Sequence, residues 1–466
     1  MTGRIRRLAG FLLVLFVLQA LGAAYWQVWV GPRLAQDPRN PRLLLAEEQV
    51  ERGSILDRNH VPLARTHVEA RRAIREYPTG PLFAHLVGYR HPRLGKAGLE
   101  AAQDGILLGT AERTPWEEWR DRALGRRRRG FDVVLTVDRE IQQVAAQALG
   151  GRRGAVVALD PRDGALLAMV SAPSFDPNLL EQNWAVLRQD PARPLLNRAT
   201  HGLYPPGSTF KVVTMAAALS RRAADPDTRF FCPGFVLVRG RPILDFGGRA
   251  HGSLTLWEAL VWSCNVTFFQ LGMRVGGSIL REFAAAFGLG EAPAFELPSE
   301  AGHLPDPEEV AGDGVAQLSF GQGSLLVTPL QMALLTAVLA RGGVRIRPYT
   351  VAQVRTAEGE VVERHRAKSG ERILAEEVAR VLRDTMVEAV AYGTGRAAAL
   401  PGVAVAGKTG TATASGGPPH AWFIGFAPAY QPRVVVAVVV ERAGTGGRVA
   451  APVAREVLRR ALERVR

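Results

Sequence analysis

A chain of 466 residues is too long for one compact core, so two or three domains are expected. Apolar residues at 47% and charged residues at 22% exclude a wholly disordered chain, and two cysteines, Cys232 and Cys264, exclude a disulfide scaffold or a cysteine-built zinc or iron–sulfur site. The formal charge of +14 is carried almost entirely by arginine, since Lys96, Lys211, Lys368 and Lys408 are the only lysines; a retained lysine therefore draws notice as an amine that arginine cannot replace.

Residues 1–7 form a basic tip with Arg4, Arg6 and Arg7, followed by the uncharged stretch LAGFLLVLFVLQALGAAYWQVWV from Leu8 to Val30. As a helix this stretch would span roughly 35 Å, enough for a hydrocarbon core of about 30 Å. Tyr25, Trp26 and Trp29 supply interface anchors at its far end. The arginines predict a cytoplasmic N-terminus and an exported body, in a single-pass protein of the cytoplasmic (inner) membrane. A cleaved signal peptide ending near Gly22-Ala23-Ala24 is the competing reading, and it exports the same body. Export weakens any nucleic-acid reading of the charge. The basic run Arg126–Arg129, between Gly125 and Gly130, reads as a solvated connector without interleaved aromatics.

Residues 31–130 are rich in Arg and Pro, with short apolar runs at Arg42–Ala46, Gly53–Leu56 and Leu82–Gly88, and predict a small strand-containing module. Residues 131–466 have a different texture. Phe131–Val137 reads as a strand, Asp138 as the N-cap of a helix Arg139–Leu149, and Ala155–Leu159 with Ala165–Val170 as a hairpin at the edge of a sheet. Helical patterns follow at Thr209–Ser220, Leu254–Trp262, Val266–Val275, Pro329–Ala340 and Ala375–Ala391. Strands return at Val403–Thr413, Ala421–Phe426 and Arg433–Val440, before a closing helix Ala450–Val465 with Arg455, Arg459, Arg460 and Arg464 on its wet side. Strands at both ends with helices between predict one mixed α+β domain whose sheet joins early and late segments.

Three short elements carry chemistry. In Tyr204-Pro205-Pro206-Gly207-Ser208-Thr209-Phe210-Lys211, Ser208 lies at a helix N-terminus and Lys211 one turn on, close enough to approach its hydroxyl. A serine needs a base to become a nucleophile, and a lysine serves only if burial or a nearby cation lowers its pKa. Ser263-Cys264-Asn265 puts a hydroxyl and an amide two residues apart, able to point into one cleft. Lys408-Thr409-Gly410-Thr411, within an apolar strand, offers a cation, hydroxyls and room beside the backbone. Read singly, each of the first two elements is more simply a helix cap or turn, and a lysine followed by Thr/Ser and Gly arises by chance for about 1 lysine in 100. Together, in this order, they form the S-x-x-K, S-x-N and K-T-G set of penicillin-binding proteins and class A β-lactamases.

With these residues the chain resembles a class B penicillin-binding protein, the monofunctional peptidoglycan D,D-transpeptidase. Arg52-Gly53-Ser54-Ile55-Leu56-Asp57-Arg58 and Gly98-Leu99-Glu100 match signatures of that family's membrane-proximal, dimerisation-type module. Gly154–Pro161, Asn197-Arg198-Ala199, Gly321-Gln322-Gly323 and Trp422–Pro428 resemble recurring transpeptidase segments. The resemblance implies a penicillin-binding fold: a mainly antiparallel five-stranded sheet flanked by helices, with an all-helical subdomain, one transmembrane helix and a small pedestal.

It also implies roles. Ser208 would attack the penultimate D-Ala carbonyl of a stem peptide, with Lys211 as base and Ser263 relaying the proton. Asn265 would bind the donor amide, and Lys408 and Thr409 its terminal carboxylate, beside Gly410. The N–H groups of Ser208 and Thr411 would form the oxyanion hole. Cross-linking to an acceptor amine would follow, β-lactams would acylate Ser208, and no metal or organic cofactor is implied. A polytopic SEDS-type glycosyltransferase is the implied partner.

Two rival classes share the motifs, a D,D-carboxypeptidase or β-lactamase-type hydrolase and a non-catalytic sensor or scaffold. No E-x-x-L-N loop of a β-lactamase follows the S-x-N element. Three departures from the family pattern stand out: His60 where glycine usually continues the first signature, a short pedestal, and Cys264, read as a buried small residue, for which a bridge to Cys232 is conceivable.

Overall fold

The computed structural model describes residues 2–31, 50–69, 72–110, 129–238, 241–312, 314–367, 370–414 and 416–465. The apolar run Arg42–Ala46, most of the arginine run before Arg129, and Lys368 lie outside the described residues. At the N-terminus a helix Thr2–Tyr25 continues into a wider turn Trp26–Val30. The helix Gly3–Val30 contains an 18-residue stretch of mean hydropathy 2.1 and is long and apolar enough to cross a membrane.

Strands β1 (Ile55–Leu56), β2 (Pro62–Glu69) and β3 (Arg72–Glu76) open the membrane-proximal module, with a small ribbon of β4 (Tyr89–His91) and β5 (Gly95–Ala97) beyond them. The signature residues explain themselves here. Arg52 is buried, with Nε donating to Glu100 Oε2 and Nη1 to Asp104 Oδ1 at 2.6 and 2.7 Å. Arg75 Nε donates to the other Glu100 oxygen at 2.6 Å, so one buried carboxylate joins two guanidiniums. A side chain at Gly53 would put its Cβ 1.9 Å from the Phe131 carbonyl oxygen, which is why that position is bare. Asp57 Oδ1 accepts from the N–H groups of Asn59 and Val61, both at 2.8 Å, closing a turn in which His60 takes a left-handed φ of 63°. Histidine thus occupies a backbone conformation that favours glycine.

Strand β6 (Asp132–Leu135) is shorter than the sequence pattern, and Asp138 caps helix Arg139–Leu149 by accepting from the N–H groups of Glu140 and Ile141. β7 (Gly154–Leu159) and β8 (Leu166–Ala172) form an antiparallel hairpin. The stretch between the helical patterns Thr209–Ser220 and Leu254–Trp262, to which the sequence assigns no element, holds four short strands: β9 (Arg229–Cys232), β10 (Phe235–Val238), β11 (Arg241–Leu244) and β12 (Gly252–Thr255). β9 pairs with β12 and β10 with β11, making a flap, and the helix expected from Leu254 begins only at Leu256. β13 (Val351–Arg355) and β14 (Val361–Arg364) carry no sequence signal of their own; side-chain alternation is missing because β13 is mostly half-buried and β14 is exposed along its whole length. β15 (Ala406–Ala412), β16 (His420–Ala427) and β17 (Val434–Val440) close the series.

These strands form two main sheets. A six-stranded sheet runs β14-β13-β6-β1-β2-β3, drawing strands from both sides of residue 130. The five-stranded sheet runs β15-β16-β17-β7-β8, so the early hairpin does sit at one edge and the K-T-G strand at the other. All seven residues of β17 are buried, which explains its continuous valine run: both faces are covered. Helix Gly446–Arg464 packs with Arg139–Leu149 against one face, through Val453, Val457 and Ile141. The other face meets Pro329–Ala340 and the helical half of the molecule, including Lys211–Ser220, Leu256–Trp262, Asn265–Val275 and Gly277–Ala286. This mixed helix and sheet body has the five-stranded antiparallel sheet flanked by helices that the resemblance implies.

Candidate active site

The Tyr204-Pro205-Pro206-Gly207 segment delivers Ser208 to the cleft. Gly207 through Phe210 form a tight 3₁₀ turn, and the α-helix proper begins at Lys211, three residues after Ser208. The turn is clamped from three sides: Gly207 N–H donates to Gly321 O at 2.8 Å, Thr209 Oγ1 to Pro206 O at 2.7 Å, and Trp422 Nε1 to Pro205 O at 3.0 Å. Gly207 has φ 56°, and a Cβ there would lie 2.8 Å from the Thr411 carbonyl oxygen. The serine turn therefore abuts β15 with no room for a side chain between them. Ser208 is half-buried, while Lys211 and Lys408 are wholly buried.

Around Lys211 the three sequence elements meet. Its amine donates to Asn265 Oδ1 at 2.7 Å and to Ser263 O at 2.6 Å, and lies 3.2 Å from Ser263 Oγ. Lys408 Nζ donates to the same Ser263 Oγ at 2.8 Å and to Thr409 O at 3.0 Å. Ser263 caps helix Leu256–Trp262 in a left-handed conformation, φ 60°, unusual for a residue with a side chain. Asn265 opens the next helix. Its N–H donates to Asp245 Oδ1 at 3.0 Å and its side-chain amide to Leu244 O at 3.2 Å, so the flap braces it.

The K-T-G strand lies at the sheet edge. Thr409 Oγ1 donates to Thr394 Oγ1 at 2.8 Å, and Gln322 Nε2 reaches Thr411 O at 3.4 Å. A Cβ on Gly410 would stand 2.9 Å from Thr209 Cγ2 and 3.0 Å from Pro206 O. Glycine is what lets β15 and the serine turn touch.

Burial and charge set the proton chemistry. Burial pulls the Lys211 amine down to about 8, although the Asp245 carboxylate and Cys264 push the other way. Burial takes Lys408 well below the usual lysine range, and the neighbouring Lys211 charge adds to the effect. A lysine near 8 is partly neutral at physiological pH, which is what a base requires.

The sequence reading expected Lys211 beside the Ser208 hydroxyl, and the structure directs its amine to the Ser263–Asn265 segment. Two residues of the site escaped it. Asp245, in the flap directly after β11, is buried and braces Asn265; Thr394 holds Thr409. Each is a lone polar residue whose relevance depends on pairing across more than a dozen residues, with no local pattern to mark it.

The fold and the three converging elements define a penicillin-binding serine enzyme. Residues 154–459 match the penicillin-binding protein transpeptidase domain, and 52–133 the penicillin binding protein A dimerisation domain. The chain belongs to the class B penicillin-binding proteins. It is similar to the peptidoglycan D,D-transpeptidase PbpA of Mycolicibacterium smegmatis, 38% identical over 489 residues that cover 99% of each chain. The PbpA of Mycobacterium tuberculosis is likewise 38% identical, over 497 residues and 99% of each chain. Among solved structures, the ceftriaxone acyl-enzyme complex of penicillin-binding protein A from M. tuberculosis superposes with a TM-score of 0.85 at 36% identity, covering 90% of this chain and 100% of that one. The D,D-transpeptidase domain from Eggerthella lenta gives 0.82 at 36% identity, covering 89% and 99%.

Proposed function

We propose that this chain cross-links peptidoglycan as an acyl-serine D,D-transpeptidase, with Ser208 as nucleophile. The observation that carries the assignment is the double approach of Lys211 and Lys408 to Ser263 Oγ, at 3.2 and 2.8 Å, beside the serine turn. Lys211, low enough in pKa to be neutral in a useful fraction, takes the Ser208 proton as Oγ attacks the penultimate D-Ala carbonyl of a stem peptide. The N–H groups of Ser208 and Thr411 hold the developing oxyanion. The proton passes by Ser263 to the departing amine, D-Ala leaves, and an acceptor amine from a second stem peptide takes the acyl group. Asn265 orients the donor amide, and Lys408 with Thr409, set beside Gly410, receives the terminal carboxylate. A β-lactam follows the same first step and stays on Ser208.

The Gly3–Val30 helix anchors the enzyme in the membrane as a single pass. Arg4, Arg6 and Arg7 hold the N-terminus in the cytoplasm, leaving the catalytic body outside, where the cell wall is built. A polytopic SEDS-type glycosyltransferase is the partner that would supply nascent glycan.

Purified protein treated with a fluorescent penicillin should carry a stable covalent label that the Ser208→Ala variant lacks. No label on the wild type would sink the acyl-serine assignment, and a label lost within seconds would indicate a β-lactamase-type hydrolase.

A further inference from the structure

Neither cysteine takes part in the acyl transfer, yet the fold brings them together. Cys232 ends β9 on the flap, while Cys264 sits between Ser263 and Asn265. Both are fully buried and carry free thiols. Their sulfurs and a carboxylate oxygen of Asp245 lie within 4.8 Å of one another, and Cys232 Sγ donates to Asp245 Oδ2 at 3.4 Å. We propose that Cys232 and Cys264 are a disulfide-forming pair whose bond, in the exported protein, ties the β9–β12 flap to the Ser263–Asn265 segment.

Several observations agree with this. The chain has no other cysteine, so neither thiol has a rival partner within it. A disulfide needs its sulfurs about 2.05 Å apart on Cα atoms no more than about 7 Å apart, and the two thiols already lie within 4.8 Å of one another. Exported chains meet an oxidising environment in which these bonds form and persist. The two thiols surrender two electrons and two protons to an oxidised disulfide donor, a dithiol oxidoreductase or glutathione disulfide, which becomes two thiols as the new S–S bond forms. Burial pushes the Cys264 thiol well up, so the folded protein holds no thiolate there to attack a donor; the bond is made while the flap is still open, during folding. Once Cys232 turns away from Asp245, that carboxylate keeps the N–H groups of Asn265 and Phe246, at 3.0 and 2.8 Å, and His251 Nε2 at 3.2 Å. The brace on Asn265 survives oxidation.

The inference rests on the exported orientation proposed above, but its readout does not depend on activity. Full-length protein isolated from membranes of cells that export it is denatured with N-ethylmaleimide, with and without prior reduction, and weighed intact. No adduct without reductant and two adducts after reduction are expected. Reduction should also lower the unfolding midpoint of the wild type by at least about 5 °C, and leave that of Cys232→Ala unchanged. Two adducts without reductant overturn the proposal, as does one zinc ion per chain held by the thiols. A bridged protein that takes no penicillin keeps this inference and removes the transpeptidase reading instead.

Discussion

Lys211 and Lys408 reach one and the same hydroxyl: Ser263 Oγ lies 3.2 Å from the first amine and 2.8 Å from the second. Two ammonium groups at such a spacing, both out of contact with water, repel each other and lose hydration. The arrangement favours the state in which at least one amine is neutral. A hydroxyl held between them can accept from one and donate to the other, which suits it to pass a proton along.

The first prediction concerns pH. Acylation of Ser208 by a β-lactam should rise as pH climbs through about 8, where Lys211 loses its proton. Stability should follow the same group. Lys211 binds its proton less tightly folded than unfolded, so between about pH 8 and 10.5 the unfolded chain holds more protons and folding gains as pH rises. Relative to Lys211→Met, the wild type should gain about 3 kcal/mol across that window. Unfolding midpoints of the two proteins at pH 7, 9 and 11 would measure it; a constant difference would show that the amine is not depressed.

A second prediction isolates Thr394, which touches Thr409 rather than any reacting atom. Its hydroxyl fixes the Thr409 hydroxyl at 2.8 Å and so decides how that group faces a carboxylate. Thr394→Val should lower kcat/KM for a D-Ala-D-Ala donor by about tenfold, mainly through KM. Thr394→Ser should restore it. Equal loss in both variants would assign Thr394 a packing role only.

The pedestal supplies a third. Burial alone would raise the Glu100 carboxyl, but the charges of Arg75 and Arg52 outweigh it and bring it below the usual range. Its contribution to stability is therefore full above the ordinary carboxylate pKa of 4.5 and is lost as pH falls through the lower folded value. Glu100→Gln leaves two guanidiniums, each with a side chain 4% exposed, without this counter-charge and should cost about 3–5 kcal/mol at pH 7. Chemical denaturation of the variant beside the wild type tests this, and a loss under about 1 kcal/mol would contradict it.

At His60 the opposite sign is expected. Its left-handed φ of 63° is costly for a side-chain-bearing residue, and its neighbours Asn59 and Val61 already anchor the turn on Asp57. His60→Gly should stabilise the protein by up to about 1 kcal/mol. A destabilised variant would reveal a contact made by the imidazole.

How much of this was readable in the amino acids differs by element. Helix Arg139–Leu149 and its Asp138 cap, the valine-rich β17 and the helix Pro329–Ala340 carry their own local signals: a cap, a continuous apolar run, a proline at the first turn. The same holds for the spacing of Ser208 and Lys211. The flap strands β9–β12 and the pair β13–β14 carry little, because their identity comes from partners elsewhere in the chain. Thr255 could be read as part of a helix since it is both the last residue of β12 and the cap of the helix that follows. Asp245 and Thr394 belong to the same class: what matters is whom they face, and no periodicity records that.

The sheet order β14-β13-β6-β1-β2-β3 has a practical outcome. Ile55 pairs with Val133, and Val133 with Val354, so a ladder of backbone hydrogen bonds runs from the membrane-proximal signature into the middle of the catalytic body. A chain trimmed to begin at residue 131 would strip β1 from β6 and leave an open strand edge, inviting another molecule to add there. Load applied through the pedestal is shared across stiff β-structure instead of a pliant tether, so the two halves should travel as one piece when the wall strains, and homologous exchange of either half alone should cut through a sheet.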